Sequence, residues 1–324
     1  MKLIVQPDQG PAPVIEFIRS AKTTLILKQF TLTHPGILEA LLESKRSGVN
    51  VRVMLNAKRS GGDRANDDSF AALDQGGVAV RWSNPNFYVT HEKSMVADGT
   101  RAMVATYNLC EKYFTLTRDY GVVFENSAQA AQITECFEAD WNRVEWVPSS
   151  DTGLIWSNSG SRLAVARFID SAKESLLVQH PKFVDASVLD RIIEASSRGV
   201  KVRVLCGGRH GISDGDILDT FSSLRVMSRS GVKVHKQKNL RVHAKLLIVD
   251  SKRALLGSMN LDRSAFDLRR ELGMTIDDRD VVSELINVFH FDWDLSHRYD
   301  APDPLDASQH HETDFPHDHE LRHE

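Results

Sequence analysis

The stretch RVHAKLLIVD, residues 241–250, sets an imidazole and an ammonium side by side in an apolar run. In an extended chain, residues two apart share a face. His243 and Lys245 therefore point the same way, with Val242, Leu246, Leu247, Ile248 and Val249 around them. An imidazole can attack, accept or donate a proton near neutral pH, and an ammonium offers donors and charge to an anion. Together they suit substitution at a phosphate, whose non-bridging oxygens gain charge as the reaction proceeds. One such pair can equally decorate the mouth of an ordinary strand. Whether it carries chemistry depends on what else the chain contains.

The chain contains the pair twice. LIVQPDQGPAPVIEFIRSAK at 3–22 aligns with LIWSNSGSRLAVARFIDSAK at 154–173, an offset of 151, and RSGVNVRVML at 46 aligns with SRGVKVRVLC at 197. THEKSMVADGTRAMVATYNL at 90 aligns with VHAKLLIVDSKRALLGSMNL at 242, an offset of 152 that also relates FEADW at 137 to FHFDW at 289. His91, Lys93 and Asp98 thus correspond to His243, Lys245 and Asp250. Fifteen residues after each histidine stands a hydroxyl, Thr106 or Ser258; seventeen after, an asparagine, Asn108 or Asn260; twenty-eight after, a carboxylate, Asp119 or Glu271. Duplication of a fold accounts for repeated apolar residues. It does not require histidines and lysines in apolar segments to survive with them.

The elements that must position these residues are legible in outline. In each half an amphipathic helix (PVIEFIRSAK, LAVARFIDSAK) leads into an apolar strand (TLILKQF, SLLVQH). A second helix (ILEALLESKRSG, VLDRIIEASSRG) closes on glycine before VNVRVML or VKVRVLC. Alternating strands and helices predict a mixed α/β sheet covered by helices. Phe137 with Trp141, and Phe289 with Trp293, have the i, i+4 spacing of helix core residues. The motif reads as a hairpin with Gly99-Thr100 as a two-residue turn. Partner positions would then sum to 199 in the first copy and 503 in the second, placing His91 opposite Asn108 and Lys93 opposite Thr106. The domains read as residues 1–149, residues 150–300 and an acidic, histidine-rich tail, 301–324, expected to be disordered.

Two ammonium groups and two amides would line a pocket for a phosphate, with Thr106 and Ser258 in support. One imidazole can attack phosphorus while the other protonates the departing oxygen. A carboxylate on the far ring nitrogen would fix the tautomer, and Asp119 and Glu271 are the candidates. Lysine does not ligate metals and neither histidine has a ligand cluster at suitable spacing, so no metal and no cofactor is expected.

HEKSMVAD and HAKLLIVD, each followed by its asparagine, resemble the paired HKD motifs of the phospholipase D superfamily, over residues 1 to about 300. The resemblance implies a pseudo-twofold duplicated α/β fold, two mixed β-sheets flanked by helices with one active site at their interface. It also implies a metal-free, two-step reaction through a phosphohistidine, released by water or another alcohol. By family precedent His91 is the nucleophile and His243 the acid/base, Lys93, Lys245, Asn108 and Asn260 hold the phosphate, and Asp98 and Asp250 order the hairpins. The first copy departs from the family pattern, with Ala105-Thr106-Tyr107-Asn108 for Gly-Ser-x-Asn and Asp119 for glutamate, so its phosphate cradle is expected to differ.

The composition, 41% apolar and 26% charged, is that of a globular protein. The net charge of −4 divides unevenly: the tail from Ala301 carries −6, leaving +2 by difference on residues 1–300. That is too little to mark a nucleic-acid binder. Three scattered cysteines make no disulfide framework. With neither a secretory signal nor an apolar run of membrane-spanning length, a cytoplasmic protein is expected, with peripheral contact at a membrane. Phe87 and Tyr88 before His91 form an aromatic lip; Lys236, Lys238 and Arg241 before His243 form a basic one. The expected substrate is a phospholipid or other phosphodiester, hydrolysed or transphosphatidylated. The family's cardiolipin synthases commonly carry N-terminal spans, which weakens that particular role. A metal-independent nuclease is the alternative enzyme, less favoured because family nucleases often carry one motif per chain. A phosphate-binding scaffold without turnover is the alternative outside catalysis.

Overall fold

A computed structural model describes residues 1–58, 62–209 and 212–306. The first half runs β1 (Lys2–Gln6), α1 (Ala12–Arg19), β2 (Thr24–Gln29), α2 (Pro35–Arg46), β3 (Asn50–Leu55), α3 (Asp67–Gln75), β4 (Ala79–Trp82), β5 (Ser94–Ala97), β6 (Arg101–Ala105), α4 (Glu111–Thr115), β7 (Thr117–Glu125) and α5 (Ser127–Asn142). The second runs β8 (Leu154–Trp156), α6 (Ser161–Asp170), β9 (Ser175–Gln179), α7 (Ala186–Ser197), β10 (Lys201–Cys206), α8 (Asp214–Arg229), β11 (Lys233–Lys236), β12 (Arg241–Val242), β13 (Leu246–Val249), β14 (Arg253–Gly257), α9 (Arg263–Asp267), β15 (Leu272–Ile276), α10 (Arg279–Asp294) and β16 (His297–Arg298).

Both sheets are mixed, as the alternating pattern predicts. The first follows the path β1-β7-β6-β5-β2-β3-β4 and the second β16-β11-β10-β9-β13-β14-β15-β8. Helix crossovers make β2, β3 and β4 parallel neighbours, whereas the hairpin strand β5 lies antiparallel to β2. The second sheet repeats this with β9, β10, β11 and β13. Strands flanked on both sides read as continuous apolar runs, and Leu25, Leu27, Val51 and Val53 of β2 and β3 are fully buried. Helices bury one stripe each: α7 turns in Val188, Ile192 and Ala195, and its N-cap Asp185 accepts from Val188 N at 3.1 Å. Phe137 and Phe289 are buried as their spacing predicts, Trp141 nearly so, while Trp293 is half-buried and stacks on His235.

Two compact units result. One holds Met1–Ser159 together with Gly257–Met259 and Asp267–Met274; the other holds Gly160–Leu256, Asn260–Phe266 and the chain from Thr275. Two short segments of the second repeat, carrying Ser258 and Glu271, therefore pack within the first unit. Of the segment read as a tail, Ala301 and Pro302 are buried, and Arg225 donates to Ala301 O at 3.1 Å. Residues 307–324 lie outside the described residues, and with them most of the segment expected to be disordered.

The hairpins correct the expected register by one residue. Ser94 faces Val104 and Ala97 faces Arg101; Leu246 faces Leu256 and Val249 faces Arg253. The sums are 198 and 502, so the connections are three residues long, Asp98-Gly99-Thr100 and Asp250-Ser251-Lys252. His91, Lys93, His243 and Lys245 stand just before their strands rather than within them. The cause is the aspartate. Asp98 and Asp250 leave the strand with φ of 53° and 52°, in the left-handed region that Asp tolerates better than most residues. That turn aims each carboxylate at the start of a neighbouring strand. Asp98 Oδ1 accepts from Thr23 N at 2.8 Å, Thr24 N at 3.0 Å and the Thr23 hydroxyl at 2.9 Å, and Oδ2 from Lys22 N at 2.9 Å. Asp250 repeats this with Lys173, Glu174 and Ser175.

Burial raises the pKa of Asp98, but the N–H groups of Thr23, Thr24 and Lys22 and the Thr23 hydroxyl outweigh it and bring it down to about 2. Asp250 is lowered in the same way. Such a group adds stability above its unfolded pKa and loses it as pH falls through the folded one. Asp98→Asn, which exchanges an accepting oxygen for a donor, should lower the unfolding free energy at neutral pH by about 1–2 kcal/mol. In urea titrations the gap between variant and wild type should close as pH drops from 3.8 towards 2. A gap independent of pH over that range overturns the account.

Candidate active site

The chain around His91 is held to the second repeat by backbone bonds. Arg270 N donates to Val89 O at 3.0 Å, and Arg270 O accepts from His91 N at 2.9 Å and Glu92 N at 3.0 Å. This register sets Glu271 beside the imidazole. His91 Nδ1 lies 2.9 Å from Glu271 Oε2 and 3.1 Å from Ser258 O. Both neighbours are acceptors, so Nδ1 carries the hydrogen and Nε2 the lone pair. Ser157 braces the carboxylate's backbone, its Oγ accepting from Glu271 N at 2.8 Å and its N donating to Glu271 O at 3.2 Å. The Phe30 ring meets the imidazole edge-on at 4.8 Å. Glu271 follows His243 in its own repeat, yet its carboxylate serves His91. Spacing along one chain carries no trace of that exchange.

Each lysine folds back on its histidine. Lys93 Nζ donates to His91 O at 2.6 Å and sits over the Phe30 ring, and Lys245 Nζ lies 2.6 Å from His243 O and 2.8 Å from His243 Nε2. All four side chains are at least nine-tenths buried. Buried ammonium groups need an anionic or polar counterpart, so these residues are built for more than surface decoration. Asn108 and Asn260 each hold a buried Oδ1 without a hydrogen-bond partner. Turned end for end, either amide would offer Nδ2 at the same point.

Thr106 and Ser258 do parallel work. The Thr106 hydroxyl accepts from Tyr120 N at 2.9 Å, and the Ser258 hydroxyl from Leu272 N at 3.0 Å. Each thereby grips the residue following a carboxylate, and Thr106 also donates to Asp119 Oδ1 at 2.6 Å. Asp119 accepts from Thr117 Oγ1 as well, at 2.6 Å. Threonine in place of serine keeps this latch. A Cβ at Gly257 would meet Leu272 O at 2.3 Å and Gly273 Cα at 2.4 Å, so the second copy requires glycine there. In the first copy Ala105 sits opposite Gly121. Asp98 and Asp250 stand at the hairpin turns, gripping backbone N–H groups.

Sequence reasoning missed four charged residues beneath His91. Lys28 Nζ lies 2.9 Å from Glu92 Oε2 and 2.8 Å from Asp140 Oδ2, and Arg270 Nη2 lies 2.9 Å from Asp140 Oδ1. A lysine inside TLILKQF and an aspartate between the aromatics of FEADW were the available signals. Burial would lower the Lys28 pKa, but Asp140 and then Glu92 hold it above the ordinary value. Burial would raise Asp140, but Lys28 and Arg270 hold it below the carboxylate range. Among the described residues, Glu92, Cys136 and Asp140 bring potential metal ligands together, within 4.8 Å of one another. The Lys28 ammonium already stands among them, so a metal ion does not fit. The lips differ from expectation too: Arg270 lies over the Phe87 ring at 4.1 Å, and Lys236 is buried with its ammonium over Tyr299, while Tyr88 and Lys238 are exposed.

The family model described as "Cardiolipin synthase, PLD-like domain" matches residues 14–141 and again 165–293. The major cardiolipin synthase of Bacillus subtilis is 25% identical over 81% of this chain and 61% of its own length. Cardiolipin synthase A of Pseudomonas syringae is 26% identical over 97% of this chain and 71% of its own. The chain spans 61–64% of the first curated relatives it matches. Among solved structures, phosphatidylserine synthase of Haemophilus influenzae superposes with a TM-score of 0.75 at 14% identity, covering 93% of this chain and 87% of that one. Polyphosphate kinase of Porphyromonas gingivalis gives 0.73 at 17% identity, covering 93% and 48%. At these identities the structures show a shared fold.

The crowding at Gly257 makes a testable contrast. Gly257→Ala should cost about 1–3 kcal/mol through overpacking and lower activity by shifting the start of β15, which Glu271 directly precedes. Ala105→Gly in the other copy should cost no more than about 1 kcal/mol. Thermal unfolding and activity measured on both variants check it; equal effects would remove the claim that Gly257 seats Glu271.

Proposed function

The chain belongs to the phospholipase D-like family, and on that premise we propose that it is a phosphodiesterase that transfers phosphatidyl groups between alcohols through a phosphohistidine. The observation that carries this reading is the contact of His91 Nδ1 with Glu271. It leaves Nε2 with a lone pair and gives the positive charge that develops on attack a carboxylate at 2.9 Å. Nε2 attacks phosphorus, the P–N bond forms and the bond to the first alcohol breaks. His243 gives that oxygen its proton. A second alcohol then yields its proton to His243, attacks phosphorus from the side the first one left, and releases His91.

Lys93 and Lys245 supply charge to the phosphate oxygens, and the amides of Asn108 and Asn260, whose Oδ1 atoms have no hydrogen-bond partner, complete the cradle. Lys245 donates to His243 Nε2 before substrate arrives. Drawn to the phosphate, it frees that nitrogen to take up from water the proton that His243 then gives the leaving alcohol. Asp119, fastened to Thr106, holds in the first repeat the position that Glu271 holds in the second. With ammonium groups meeting the phosphate charge, the reaction needs no metal. The relatives named for cardiolipin synthesis support lipid substrates, with an alcohol rather than water as the preferred acceptor. No helix among the described residues is long and apolar enough to cross a membrane.

Phosphatidylglycerol vesicles with added ethanol and EDTA test the proposal. The wild type should form phosphatidylethanol and release glycerol, and His91→Ala should lose at least about a hundredfold in rate. Phosphatidate alone would make the enzyme a hydrolase. Loss of activity in EDTA would overturn metal independence. No lipid product, with cleavage of single-stranded DNA, would replace this reading with a nuclease.

A further inference from the structure

We propose that Lys28, Glu92, Asp140 and Arg270 are positioning residues that close a buried ring and thereby set the distance between His91 and Glu271. The inference rests on the reading of His91 as nucleophile. The ring can be followed atom by atom. Arg270 O accepts from Glu92 N at 3.0 Å, and the Glu92 carboxylate reaches Lys28 Nζ at 2.9 Å. Lys28 Nζ continues to Asp140 Oδ2 at 2.8 Å, and that same oxygen accepts from Arg270 Nε at 3.0 Å, returning to the start. Glu92 is the neighbour of His91 and Arg270 the neighbour of Glu271. The ring joins the two partners through β2 and α5, and Ser94 Oγ steadies the second Glu92 oxygen at 2.7 Å.

Two cations and two anions balance, yet buried ion pairs rarely gain stability over apolar or neutral packing. The duplication provides an internal control. In the second repeat Gln179 stands where Lys28 does and Ala244 where Glu92 does, and the corresponding sheet forms with the corresponding neighbours. Gln179 donates to Asp292, the counterpart of Asp140, at 2.8 Å, and to Gln237 at 3.0 Å. The fold therefore has no need of the Lys28–Glu92 pair. In the first copy a carboxylate 180 residues away stands within hydrogen-bond reach of His91. A charged ring resists displacement because moving any member leaves a buried charge unpaired.

The test imports the second repeat's residues: Lys28→Gln with Glu92→Ala, which conserves net charge. Asp140→Asn is the companion, and Glu271→Gln is combined with each. Thermal unfolding identifies the folded variants. Turnover of phosphatidylglycerol and 15N imidazole spectra of His91 are read on those. Among the described residues, the charged groups at the imidazole include Glu271 directly, Arg269 behind it at 3.9 Å and Lys93 on the His91 carbonyl. All three are unchanged in the swap. The expected result is a fall in kcat on the order of tenfold or more, KM within about twofold of wild type, and a His91 spectrum showing Nδ1–H no longer fixed. In the Glu271→Gln background the swap should cost nothing further. Unchanged kcat, an unchanged spectrum, or a loss that persists in full without Glu271 would each overturn the proposal. Should the swap fail to fold, Asp140→Asn decides by the same readings. Should the wild type turn over no lipid, the function assignment fails while the His91 spectrum still decides the ring: a lost tautomer preference sustains it and an unaltered one ends it.

Discussion

The carbonyl of Arg270 accepts from two successive N–H groups, those of His91 and Glu92, and most of the first unit's site follows from that bifurcated bond. A backbone oxygen cannot rotate away as a side chain can. The residues after it are committed to a path along the His91 segment, and the next side chain, Glu271, has little choice but to face the imidazole. Ser157 and Ser258 then satisfy the main chain on the far side of that segment. The histidine's tautomer is thus decided by strand register before any side-chain preference acts.

Repetition has been used unequally. Both copies keep the clamp aspartates, the hydroxyl latches and the lysine folded over its histidine's carbonyl. They differ beneath the histidines, where one holds a charged cluster and the other has Gln179 and Ala244. A buried carboxylate is costly unless it is paired and hydrogen-bonded, and in the first copy Lys28 and Arg270 pair with Glu92 and Asp140. The two histidines therefore have different supports, as the different roles proposed for them would require.

The repeat, the alternation of strand and helix in each half and the set of motif residues were legible because apolar periodicity and spacing are local properties of the chain. Register was not, for a physical reason: Asp98 reads equally well as the last residue of a strand or the first of a turn. Its carboxylate's distant partners at Lys22 to Thr24 decide in favour of the turn. The partner of His91 was hidden for the same reason, since it comes from 180 residues away in the other repeat. A lysine in a basic run reads as part of a basic lip, whereas Lys236 is turned inward with its ammonium over the Tyr299 ring. Local patterns named the reactive groups; long-range pairing chose their companions.

That separation has a consequence for how the protein comes into being. At a synthesis rate of about 5–20 residues per second, Glu271 leaves the ribosome roughly 10–40 s after His91. Through that interval the first repeat can form its sheet and its Asp98 clamp, both built from residues already emerged, while its histidine has no carboxylate to orient it. A chain interrupted before residue 271 would expose a folded but uncommitted imidazole. The imidazole is therefore oriented late and in one step, when the Glu271 segment of the second repeat packs into the first unit.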